Sequence, residues 1–311
     1  MSIDLAAPRT GEVVAVGPHG LFRVAYVEWG PEKAERTVLC VHGLTRVSRD
    51  FDYLAQRLAS RGMRVIAPDL PGRGKSEWLT HPEDYATPVY VAAMAAVIAR
   101  SGVSDIDWVG TSLGGHVGME FAALAGAPIR RLVLNDFGAR VSAPALQRMG
   151  SYLRLKRTFE TVEELEGHLR SIHAPFGNLT DAQWRHLTVH SAVKAEDGRF
   201  RQHYDPGIGR MFSWPLMLDI ALWHVWDKVA CPVLILHGSE SDLLHTDTVR
   251  EMQRRGAAGK KGKVRAIEVR GVGHAPALMA SYQIALIEEF LTSDRGGVKT
   301  QRSGAIDDEA A

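Results

Sequence analysis

An α/β fold built on a mostly parallel sheet is predicted by three features of the sequence. Short β-rich runs alternate with helical patterns. The central runs are almost wholly apolar, as expected of parallel strands covered on both faces. The first two runs read instead as an antiparallel pair. In chain order the runs are EVVAVG, FRVAYVEWG, TVLCVHG, RVIAPDL, DIDWVG, RRLVLND, PVLILHG and VRAIEVRG. Between them lie helical patterns. One spans about Asp50 to Ser60, with Phe51, Leu54 and Leu58 on one face. A second opens with Thr87 as N-cap and Pro88 at the first helical position, and stops at Gly102. A third begins after Ser112 and ends near Gly126.

The alternation breaks after LVLNDFG. Residues 140–212 read as helical and irregular pieces, and strand and helix return at Pro232. The reading is a core in two parts, 1–139 and 213–292, with a helical lid of 140–212 inserted on top and a disordered polar tail over 293–311. The 311 residues are 45% apolar, enough for a sizeable core, and 37 basic against 36 acidic residues leave a formal charge of +1. That balance points to neither nucleic acid nor an anionic membrane as a partner. The basic stretch GKKGKVR at 259–265 reads as a solvated helix end. Cys40 and Cys231 sit in apolar strand sequence and read as core residues. The N-terminus lacks a secretory pattern, and the longest apolar run, VYVAAMAAVIA at 89–99, is too short to span a bilayer, so a cytoplasmic protein is expected.

Gly110-Thr111-Ser112-Leu113-Gly114 fits G-x-S-x-G between a strand and a helix. The motif alone is only suggestive, and a plain helix N-cap is the simpler use of Ser112. Its position raises the odds. Glycines on either side permit a sharp turn that lifts the hydroxyl to a helix N-terminus, where developing negative charge is favoured. A serine needs a base, and the base needs an acid to hold its tautomer. His274, in RGVGHAPAL, and Asp242, in HGSESDLLH, both follow strands, at the edge where open α/β sheets place their sites. Asp242 is preferred as the acid; Asp136, ending LVLND, ranks second, and Glu240 also competes.

Two backbone donors are needed for an oxyanion, and the N–H groups of Leu113 and Leu44 are the candidates, with His42 bracing the Leu44 loop. Met211, Phe212, Trp214, Met217 and Trp223 cluster where the insertion rejoins the sheet and are candidates to line an apolar pocket. Most of them are also natural packing residues. Arg46 lies two residues past Leu44. It is placed either to meet a substrate carboxylate or to form a salt bridge with a nearby acid such as Asp50. GRGKS at 72–76 lacks the first glycine of a phosphate-binding P-loop and reads as a tight turn. His186 and His190, at i,i+4, are a weak metal signal without a third ligand.

Taken together, VHGLTR, PDLPGRGKS, GTSLGG, LHGSESDLL and GVGHAPAL resemble the α/β-hydrolase superfamily, in its cap-bearing, esterase-like branch. The resemblance implies an eight-stranded, mostly parallel sheet with an inserted helical cap. It implies Ser112 as nucleophile, His274 as base, Asp242 as acid, and Leu44 and Leu113 as oxyanion donors. The spacing from Gly238 to Asp242 is one residue longer than is usual in the superfamily. Serine at the turn disfavours the dehalogenase and epoxide-hydrolase relatives, which place aspartate there. The expected activity is hydrolysis of small to medium carboxylic esters through an acyl-enzyme, with no cofactor or metal. Hydrolysis of a C–C bond, a lactone or an amide uses the same three residues, and a ligand-binding protein on the same fold is the alternative of another class. The expected partner is a small ester-like molecule, and oligomeric state is left open.

Overall fold

The computed structural model describes residues 7–153, 157–212 and 217–293. Eight strands form one sheet. In chain order they are β1 (Arg9–Gly17), β2 (Gly20–Trp29), β3 (Thr37–Val41), β4 (Arg64–Pro68), β5 (Ile106–Thr111), β6 (Ile129–Asn135), and the strands Val233–Gly238 and Val264–Val269. Their spatial order is β1-β2-β4-β3-β5-β6, then 233–238, then 264–269. β2 pairs antiparallel with β1 and β4, and the other neighbours run parallel. β3 and the strand 233–238 are buried at every residue, which explains their unbroken apolar sequence.

Helix α1 (Asp52–Ser60) starts two residues later than its pattern suggested, because a 3-10 turn occupies Ser48–Phe51. Helix α2 (Thr87–Ser101) includes Thr87 as a helical residue, with Ala86 as the cap and Pro88 in the first turn. Helix α3 (Leu113–Ala122) follows β5 with only Ser112 between them.

The segment between β6 and the strand 233–238 carries helices α4 (Ala143–Leu153), α5 (Val162–Ile172) and α6 (Asp181–Ser191) and a short hairpin of 192–194 with 200–202. Thr161 caps α5, and Thr180 and Gln183 form a reciprocal capping box on α6. Arg140–Val141 pairs antiparallel with Ile220–Ala221, so the base of the insertion closes at Ala221 instead of near 212. The polar tail expected from 293 onward lies outside the described residues, Ser293 apart. No helix among the described residues is long and apolar enough to cross a membrane.

The junction of β5 and α3 is the tightest part of the core. A Cβ on Gly110 would lie 2.2 Å from the Gly114 carbonyl oxygen, and one on Gly114 would lie 1.9 Å from that of Val41. Buried Trp108 donates from Nε1 to the Gly114 carbonyl at 3.0 Å and pins the helix start from below. Gly114→Ala therefore has nowhere to put its methyl and is expected to destabilise by at least about 2–3 kcal/mol. Gly167→Ala, on the open face of α5, has nothing within 4 Å and is expected to stabilise by up to about 1 kcal/mol. Urea unfolding of the two variants checks both signs.

Candidate active site

Ser112 occupies φ 52, ψ −114, a conformation that costs a non-glycine residue about 1–3 kcal/mol. Its N–H donates to Asn135 O at 3.0 Å, and its carbonyl accepts from His116 N at 3.0 Å, so neighbouring chain fixes the turn on both sides. The hydroxyl thereby stands at the start of α3. The sharp turn read from G-x-S-x-G is present.

Ser112 Oγ lies 2.8 Å from His274 Nε2, and His274 Nδ1 lies 2.7 Å from Asp136 Oδ2. A carboxylate only accepts, so the hydrogen sits on Nδ1, and Nε2 is left to accept from the serine hydroxyl. Asp136 follows β6 directly, at φ 53, and is completely buried. Its Oδ1 accepts from Gly238 N at 2.9 Å and its Oδ2 also accepts from Ser241 Oγ at 2.5 Å.

The structure does not bring Asp242 to His274. After the strand 233–238 the loop folds so that Ser241 faces Asp136, and its Oγ accepts from the N–H groups of Leu243 and Leu244 at 3.3 and 3.1 Å. That turn directs the next side chain outward. Asp242 is exposed and pairs with Arg148, whose Nε lies 2.9 Å from Oδ2. Glu240 is likewise exposed. The second-ranked acid, Asp136, holds the imidazole. The extra residue between Gly238 and Asp242 was the sequence signal for this: that loop supplies a serine to the carboxylate, not a carboxylate.

The loop carrying Leu44 runs beside the serine; a Cβ on Gly43 would lie 3.6 Å from Ser112 Cβ. His42 is buried, its Nδ1 2.7 Å from Gly43 O and its Nε2 accepting from Leu70 N at 2.9 Å. Burial pushes its pKa down to about 3, so it stays a neutral brace. Arg73, fully buried, donates through Nε to Leu44 O at 2.8 Å and through Nη1 to Tyr90 Oη at 2.8 Å and Pro71 O at 2.7 Å. Sequence reasoning missed this residue because GRGKS drew attention only as a nucleotide decoy. The backbone amides of that loop are in use, Gly74 N to His203 O at 3.0 Å and Lys75 N to Asp69 Oδ2 at 2.9 Å among them, so they form no phosphate cradle.

Two cavities meet at Ser112. The first, about 180 Å³, is apolar; Leu44, Leu113, Phe137, Leu146, Met149 and Phe212 contribute to its walls. The second, about 60 Å³, is lined by Ser112, His274, Arg46, Arg148 and His173 and by apolar side chains that include Met149, Ile172, Pro175 and Phe176. Phe212 thus takes the wall position expected of it. Trp214 and the side chain of Met211 lie outside the described residues. Met217 is exposed, and Trp223 packs against the core beneath the guanidinium of Arg255.

Arg46 forms the salt bridge with Asp50, Nε to Oδ2 at 2.7 Å and Nη2 to Oδ1 at 2.8 Å. Its buried Nη1 has no hydrogen-bond partner among the described residues, and neither has buried Nε2 of His173. Such unsatisfied groups cost about 1–3 kcal/mol each. Burial, with the positive charge of Arg46 secondary, holds the His173 pKa well below the ordinary 6.5.

Elsewhere, α6 brings His186 and His190 to Asp52, with all three donor atoms within 4.8 Å. Arg49 already forks onto the Asp52 carboxylate, Nε to Oδ1 at 2.8 Å, and His186 Nε2 lies 3.0 Å from Arg49 O. The cluster is a polar contact between insertion and core. Burial raises the thiol pKa of both cysteines, that of Cys231 to about 12, which leaves them unreactive.

Residues 38–285 match the alpha/beta hydrolase family. The chain belongs to that family. A 3-hydroxybutyrate-oligomer hydrolase of Cupriavidus necator is 42% identical over 295 residues, which cover 92% of this chain and 99% of that protein. An esterase of Mycobacterium tuberculosis is 26% identical over 75% of each chain. Among solved structures, a putative hydrolase from Rickettsia typhi superposes with a TM-score of 0.83 at 30% identity, covering 92% of this chain and 99% of that one.

The neutral, buried state of His42 has a consequence for acid stability. Between pH 6.5 and about 3 the unfolded chain binds a proton at this residue that the folded protein does not. Stability is therefore intact above pH 6.5 and falls as the pH drops, by about 1.4 kcal/mol per unit for this residue alone. His42→Asn is expected to remove about one proton from the slope of unfolding free energy against pH, measured by urea unfolding from pH 7 to 4.5.

Proposed function

We propose that this hydrolase cleaves carboxylic esters through a serine acyl-enzyme, and that its substrates are short oligoesters of 3-hydroxy acids. The observation that carries the chemistry is the unbroken line Ser112 Oγ, His274 Nε2, His274 Nδ1, Asp136 Oδ2, with gaps of 2.8 and 2.7 Å. The substrate class rests on the relative that matches along almost its whole length. The apolar cavity of about 180 Å³ beside the serine suits a short branched acyl chain.

In the proposed reaction Ser112 Oγ attacks the ester carbonyl while its proton passes to His274 Nε2. The carbonyl oxygen becomes an oxyanion facing the N–H groups of Leu44 and Leu113. A single donor of this kind is worth about 2.7–4 kcal/mol of barrier. Asp136 stabilises the imidazolium and keeps its tautomer. The C–O bond to the alcohol breaks, and the alcohol leaves with the proton from His274. Water then attacks the acyl-enzyme, giving its proton to His274, and the carbonyl–Oγ bond breaks as His274 passes that proton to Oγ, which releases the acid and restores Ser112.

The test uses p-nitrophenyl butyrate and the 3-hydroxybutyrate dimer with purified protein. Ser112→Ala is expected to lower kcat on both by about 10⁴–10⁶-fold. Asp136→Asn should lower it by about 10³–10⁴-fold, through the wrong imidazole tautomer. Asp242→Asn should change it less than about fivefold, since an exposed ion pair is worth ~0–1 kcal/mol. Full activity in Ser112→Ala would overturn the mechanism, and comparable losses in both aspartate variants would overturn the assignment of the acid.

A further inference from the structure

The two cavities at Ser112 differ in which catalytic group they share. His274 lines the smaller cavity, which also carries Arg46 and His173, and not the larger apolar one, whereas Leu44, Ser112 and Met149 border both. In ester cleavage the imidazolium must hand its proton to the departing oxygen, so the alcohol lies on the imidazole's side. The acyl part then takes the apolar cavity. The alcohol part enters the cavity lined by Arg46 and His173, each of which carries a buried nitrogen, Nη1 and Nε2, without a partner among the described residues.

We propose that this smaller cavity holds the departing hydroxy acid and reads its free carboxylate through Arg46 and His173, so that the enzyme removes single units from the carboxyl end of its oligoester. The inference rests on the oligoester reading above. The two side chains with unsatisfied buried nitrogens line one small cavity, one for each oxygen of a carboxylate, with His173 Nε2 donating in the tautomer that carries its hydrogen there. The guanidinium donor favours an ionised acceptor over a neutral carbonyl. Asp50 holds Arg46 through Nε and Nη2, which fixes the direction of Nη1 while balancing its charge, so recognition depends on directed hydrogen bonds more than on net field. Arg148, at the same cavity, is half-exposed and engaged with Asp242, and is not required as a donor. In a 3-hydroxy acid the carboxylate stands two carbons beyond the scissile oxygen, a reach suited to a compartment immediately beside the imidazole. A volume of about 60 Å³ leaves no room for a chain of several units.

The experiment compares the 3-hydroxybutyrate dimer as free acid with its methyl ester, using unmodified enzyme, with p-nitrophenyl butyrate as a substrate lacking the carboxylate. A tetramer labelled with ¹³C in its carboxyl-terminal unit is followed by mass spectrometry through the first turnovers. The expected results are a kcat/KM at least about tenfold higher for the free acid and labelled monomer as the first small product. In Arg46→Met the acid-to-ester ratio should fall toward one, mainly through KM. If that variant does not fold, His173→Phe, which keeps a ring but removes the donor, should lower the same ratio. Equal rates on free acid and methyl ester, or unlabelled monomer appearing first, would overturn the proposal and leave the oligoester reading standing. Cleavage of p-nitrophenyl butyrate without cleavage of any oligomer would overturn both.

Discussion

The carboxylate of Asp136 is sealed from water, and a sealed charge is tolerated only when hydrogen bonds replace its hydration. Three segments supply them: the backbone of Gly238, the hydroxyl of Ser241 and the ring of His274. One buried charge therefore binds together the C-terminal ends of β6, of the strand 233–238 and of the chain beyond the strand 264–269. The imidazole orientation follows from that convergence, and the serine hydroxyl follows from the imidazole. Both Ser112 and Asp136 sit at positive φ, a local cost that the fully buried neighbouring strands offset.

The Leu44 side of the site depends on a second buried charge. Arg73 holds the carbonyl of Leu44, and its own loop is gripped by the insertion, through Gly74 to His203 and Asp205 to Gly72. Tyr85 adds a 2.5 Å hydrogen bond to Asp205. The insertion and the Leu44 loop thus share one scaffold. The insertion also meets the base directly, since Gly273, next to His274, donates to Pro175 O at 2.8 Å.

Polarity is divided across the serine. On one side the walls are aliphatic and aromatic; on the other, histidine and arginine keep unsatisfied nitrogens buried. A site built for a wholly apolar ester has no use for such nitrogens, which cost stability when empty. Their presence beside the serine supports the proposal of a substrate polar at one end.

Much of this was legible in the sequence because it depends on local rules. Apolar runs bounded by turn residues gave the parallel strands. Gly110 and Gly114 marked a turn that side chains would block. His274 lay at a strand end where such sheets place their chemistry. The acid was not legible, because Asp136, Glu240 and Asp242 each follow a strand and differ only in where a loop turns their side chains. Arg73 and His173 were hidden for the same reason: neither lies in a pattern that shows which side chain it will face. Sequence alone was enough for the fold and for singling out Ser112 and His274, since periodicity and glycine placement are properties of neighbouring residues. Only the tertiary structure decided which carboxylate holds His274, the brace on the Leu44 carbonyl and the two unequal cavities, because contacts between residues a hundred positions apart are set by packing.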